Sequence, residues 1–158
     1  MPVFSIDYGK PPKHIFPDPV YHVFAVYKFI STQLYKHCNI IPNKIVLAGD
    51  SAGSNLVLSA YALALKEKLP KALGFFLAYP ASDLRSVYTP SRISAFSDAI
   101  LHPSLLLLCL REYLGVHQKE VESHPLASPL LISQGFFTKD ARDTRWPLNW
   151  PKTRIVVG

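Results

Sequence analysis

Long apolar runs are the first thing this sequence lacks. The longest, Ala60 to Leu65 and Leu105 to Leu110, hold six residues each, far short of the roughly 20 that cross a bilayer. No membrane span is expected. The opening residues, Met1-Pro2-Val3-Phe4-Ser5-Ile6, lack the basic segment and apolar stretch of a secretory leader, so a cytoplasmic setting is the expectation. Cysteine is scarce: Cys38 and Cys109 are far apart with no Cys-x-x-Cys spacing, which argues against a zinc ribbon or a redox pair. Two free, buried thiols are expected instead. Clusters of like charge are also missing. The net charge is +6, yet no two basic residues are adjacent, so a dedicated nucleic-acid surface is not expected. No repeat with a period of about 20 to 50 residues is present, which removes solenoids and propellers. Neither Gly-Lys-Ser/Thr nor Gly-x-Gly-x-x-Gly occurs, so nucleotide binding has no signature here. Neither a cofactor nor a metal is expected.

What is present suits one compact core. The chain has 158 residues, 49% hydrophobic and 18% charged, the balance of a globular domain. Residues 3 to 8 read as a short strand, followed by proline-rich turns. Asp18 then Pro19 reads as a helix start, the carboxylate capping free N–H groups and the proline taking the first helical position. Val20, Val23, Phe24, Tyr27, Ile30 and Leu34 recur at helical spacing, predicting one apolar face up to about Lys36. Lys44 to Ala48 reads as a strand buried on both faces of a parallel sheet. A helix over 52 to 68 follows, closed by charged residues and Pro70. Leu73 to Pro80 is another buried strand, and alternation of this kind defines an α/β fold. Residues 81 to 152 read as an excursion containing one helix, opened by Pro103 and ended by Gly115. That helix offers Leu106, Cys109, Leu110 and Tyr113 as packing surface. Thr153 to Gly158 reads as a last strand.

Chemistry concentrates at Gly49-Asp50-Ser51-Ala52-Gly53, between a predicted strand and a predicted helix. A Gly-x-Ser-x-Gly nucleophile elbow needs small flanking residues, because strand and helix must approach closely around a strained serine. Gly49, Ala52 and Gly53 supply them. The following helix N-terminus offers its dipole and free N–H groups, and that of Ala52 would face a developing oxyanion. A turn kept small only for tightness, or a phosphate loop, are the other readings of the same residues.

Gly49-Asp50-Ser51-Ala52-Gly53-Ser54-Asn55-Leu56 resembles the Gly-Asp-Ser-Ala-Gly-Gly-Asn-Leu signature of hormone-sensitive-lipase-like α/β-hydrolases, with Ser54 in place of the last glycine. Asp7-Tyr8, Pro12 and Phe16-Pro17 are similar to the family's Asp-Tyr-Arg-Leu-Ala-Pro-Glu stretch and the Phe-Pro after it, although Lys13 replaces its glutamate. Asp98 to Leu101 and Pro125 to Leu130 resemble segments between the family's nucleophile and its acid. The resemblance implies a partial α/β-hydrolase fold, a mostly parallel sheet with flanking helices, as a single domain over residues 1 to 158. It implies hydrolysis of carboxylic esters by Ser51, with a small-molecule ester as substrate.

The same resemblance implies that the chain is truncated at both ends. The family's His-Gly-Gly motif would precede residue 1, and its acid and histidine would follow Gly158. Its sheet order would also leave residues 3 to 8 without a neighbour. Within the chain, His14, His22, His37, His102, His117 and His124 read as loop or surface residues, and none ends a predicted strand. Asp83 is the nearest local carboxylate, whereas Asp140 and Asp143 read as loop residues. Three functions stay open: an ester hydrolase, a non-catalytic ligand-binding homologue, and an inactive fragment.

Overall fold

A computed structural model describes residues 2–87, 102–133, 136 and 150–157. The expectations for Asp98 to Leu101, Asp140 and Asp143 fall outside those residues. Among the described residues, three parallel strands form one sheet in the order β1 (Val46–Asp50), β2 (Gly74–Ala78), β3 (Lys152–Val156). Val46 pairs with Gly74 and Asp50 with Ala78, and Gly74 in turn pairs with Lys152. The α/β class and the parallel sheet are as the alternation of elements predicts.

Helices α1 (Asp18–Thr32) and α3 (Ala52–Lys66) pack on this sheet. Val20, Val23, Phe24 and Tyr27 of α1 meet Leu56, Val57, Ala60 and Tyr61 of α3 and Phe75 and Leu77 of β2. Aromatic edges knit the centre: Tyr61 stands 4.9 Å from Phe75 and 5.8 Å from Tyr27. The Tyr27 hydroxyl donates to Pro70 O at 2.5 Å, tying α1 to the connection before β2. A second unit is built by α4 (Pro103–Leu114) and α5 (Gln118–Val121), where Leu110 and Leu114 pack with Leu84 and Ala127.

Several local expectations are corrected. Residues 3 to 8 form no strand, because a strand is defined by a ladder partner and a groove lies between them and β1. That groove, about 930 Å³, is lined by Val3, Phe4 and Ile6 and by Val46, Leu47 and Ala48 of β1. Helix α1 ends at Thr32, and Leu34 belongs to a separate short helix, α2 (Leu34–Cys38), after a break at Gln33. Asp18 is the first helical residue rather than the cap: Pro17 holds the cap position without a side-chain bond. The Asp18 carboxylate instead approaches His14 Nδ1 at 3.4 Å.

The strands are not covered on both faces. In β2, Phe75 and Leu77 are buried on the helix side while Phe76 is 45% exposed on the other, and every residue of β3 is exposed. Both cysteines are free and exposed rather than buried. Cys109 lies on the solvent side of α4, whose buried face is carried by Leu110 and Leu114.

Candidate active site

Strand β1 ends at Asp50, Ser51 makes the turn, and α3 begins at Ala52. Ser51 adopts φ 45 and ψ −115, a region that side chains with a Cβ occupy at a cost of about 1–3 kcal/mol. Three backbone bonds brace it: its N–H donates to Ala78 O at 2.9 Å, and its carbonyl accepts from Asn55 N at 3.3 Å and from Ala81 N at 3.4 Å. The turn is therefore fixed to the end of β2 and to the first turn of α3. Tyr79, just past β2, also has a positive φ of 34, so both strands end in sharply turned backbone side by side.

Gly49 and Gly53 play different parts. A Cβ on Gly49 would stand 2.6 Å from Gly53 C and 2.7 Å from Ser54 N, both backbone atoms. Strand and helix thus touch at Gly49. A Cβ on Gly53 would meet nothing nearer than Asp50 Oδ1 at 3.8 Å, so the expectation that its own lack of bulk is required is corrected. Asp50 is exposed, its carboxylate lying toward that first turn of α3. Ala52 is exposed as well. It is the first residue of α3, and helix-start N–H groups have no acceptor within their own helix.

The interior side of α3 carries polar groups that spacing alone did not reveal. Ser54 Oγ reaches Gly49 O at 2.6 Å and Ala78 O at 3.2 Å. Asn55 Nδ2 donates to Ala81 O at 2.7 Å and Ala127 O at 2.8 Å, and Ser59 Oγ donates to Leu126 O at 2.8 Å. These side chains fasten the loop after β2 and the 126–127 turn onto the helix behind Ser51. The signal for Ser54 was its departure from the glycine of the signature it resembles.

The other titratable candidates are engaged elsewhere. Asp83 receives Arg85 Nε at 2.9 Å and Nη2 at 2.8 Å, a paired carboxylate rather than a free orienter. His22 Nδ1 accepts from Gly9 N, and His124 Nδ1 accepts from Leu126 N, both at 3.1 Å. Burial lowers the His124 pKa below its ordinary value. His102 caps α4, accepting from Ser104 N, His117 approaches Glu120, and His37 stands against Phe29. Among the described residues no side chain hydrogen-bonds Ser51 Oγ, and no group of three His, Cys, Asp or Glu could hold a metal ion. Among them, too, no helix is long and apolar enough to cross a membrane.

A parallel strand that passes through a strained serine directly into a buried helix is the layout of the α/β-hydrolase class. The chain belongs to the family of the alpha/beta hydrolase fold, which it matches over residues 1–145, and it is hormone-sensitive-lipase-like within it. It is 37% identical to hormone-sensitive lipase of Bos taurus over 129 residues, covering 78% of this chain and 16% of that protein. An esterase of Acinetobacter venetianus is 33% identical over 116 residues, covering 72% of this chain and 36% of that protein. Among solved structures, an esterase of Pyrobaculum calidifontis superposes with a TM-score of 0.77 at 26% identity, covering 94% of this chain and 44% of that one. The chain thus spans well under half the length of these curated relatives.

Proposed function

We propose that this chain carries the nucleophile of a carboxylic ester hydrolase of esterase or lipase type, with Ser51 as the attacking group. The observation that carries the reading is Ser51 itself, held at φ 45 at the junction of β1 and α3. A nucleophile on such a turn projects from the strand end with helix N–H groups beside it. In the reaction, Ser51 Oγ bonds to the acyl carbon while the ester C–O bond breaks and the alcohol leaves with the serine's proton. Water then attacks the acyl-serine, releasing the acid and restoring the hydroxyl. The Ala52 N–H supplies one oxyanion donor. Speed requires a base and an orienting carboxylate, and losing triad members costs several orders of magnitude. The substrate is a small-molecule ester.

A second reading has its own support. Ser51 Oγ is free of side-chain bonds among the described residues, and the apolar groove along β1 reaches Ser51, which suits a ligand-binding protein without turnover. Incubation with a fluorophosphonate, read by intact mass, separates the two. A single adduct that the Ser51→Ala protein lacks is the expected result. No adduct above that control overturns nucleophilic reactivity, and a ligand-induced rise in Tm without an adduct favours binding.

A further inference from the structure

Ser54 is fully buried, at 0% exposure, in the first turn of α3. Its hydroxyl has one proton to donate, and two carbonyls converge on it: Gly49 O at 2.6 Å and Ala78 O at 3.2 Å. The Gly49 carbonyl lies at the end of β1 and the Ala78 carbonyl at the end of β2. The second of these also receives the Ser51 N–H at 2.9 Å. One buried side chain therefore joins the helix to both strands that bracket Ser51. Strained backbone persists only where its surroundings over-determine it. Here the other restraints on Ser51 are backbone contacts, and Ser54 adds a side-chain restraint among the described residues. A glycine in its place would supply neither bond.

We propose that Ser54 is a positioning residue, its hydroxyl clamping the ends of β1 and β2 to α3 and so holding Ser51 in its strained conformation. Substrate does not touch it. The effect on reactivity rests on Ser51 being the nucleophile, whereas the effect on the backbone does not.

Two variants test the clamp. Ser54→Ala removes the hydroxyl and leaves a small gap, while Ser54→Cys keeps the volume filled but offers only a weak donor. Two readouts are taken: hydrogen exchange of the Ser51 amide relative to that of Leu77 in the central strand, and the rate of fluorophosphonate labelling. Both variants should speed Ser51 exchange relative to Leu77 by about tenfold and slow labelling by a similar factor, the scale of one net hydrogen bond. An unchanged exchange ratio in Ser54→Cys overturns the clamp, because filling alone would then suffice. Should Ser54→Ala fail to fold, the near-isosteric Ser54→Cys still decides the question. An unlabelled parent chain whose exchange ratio shifts on substitution would sink the nucleophile reading and leave the clamp standing. Labelling with no shift in ratio would sink the clamp alone.

Discussion

A methyl group added at Gly49 would press on the backbone of Gly53 and Ser54 at 2.6–2.7 Å, and backbone cannot rotate away. Gly49→Ala is therefore expected to cost about 1–3 kcal/mol, the range for overpacking, in denaturant unfolding. Gly53→Ala meets only ordinary contact and should stay within about 0.5 kcal/mol of the parent, with fluorophosphonate labelling retained. Equal losses from both substitutions would contradict the asymmetry. The thiols offer a second check: Cys38 and Cys109 are exposed, so both should react with an aromatic disulfide reagent in the folded chain. At this scale the motif was legible because the strand–helix contact demands a glycine two residues before Ser51, at Gly49. The reach of the Ser54 hydroxyl beyond Gly49 and that of the Asn55 amide were not, since the carbonyls of Ala78, Ala81 and Ala127 come from distant segments.

Helix α1 was legible from apolar spacing, α3 from its Ala- and Leu-rich stretch, and β2 from its continuous apolar run. Their limits were not: a periodic face continues through Leu34, but the break at Gln33 is a backbone event that side-chain pattern does not encode. The strand expected over residues 3 to 8 does not form, since pairing needs a neighbour: local pattern carries no information on one, whereas the sheet order implied by the resemblance left these residues without one. Where the elements meet, phenols are buried. Burial first, and the neighbouring Tyr61 second, raise the Tyr27 pKa, while burial and then Tyr8 raise that of Tyr113. A proton held more tightly in the folded state stabilises it fully below the ordinary phenol value of 10.0. That contribution drains away as pH climbs from there toward the folded values. Unfolding free energy should thus decline above about pH 10, and Tyr27→Phe should make the decline shallower. An equal slope in the variant would show that Tyr27 ionisation is not coupled to unfolding.

Among the described residues, the molecule is a sheet with α1 and α3 packed on the Phe75 and Leu77 side and exposed apolar groups on the other. Val46, Phe76 and Val156, which the register places on that face, are each about half exposed, and exposed apolar surface of this kind promotes association. Sedimentation should show concentration-dependent self-association that Phe76→Lys weakens. A monodisperse monomer at every concentration would show that this face is tolerated by water. The open face was hidden in the sequence, because a strand such as Gly74 to Ala78 reads the same whether one or both sides are covered. Among the described residues, β1 is also bonded along one side only. In mechanical terms it is a cantilever, fixed to β2 along its length and free on its outer flank. Its tip is pinned, however, where the Ser51 amide and the Ser54 hydroxyl converge on the Ala78 carbonyl. The displacement of Ser51 should then follow the Ala78 end of β2, so that motion of the loose flank leaves the serine where it is.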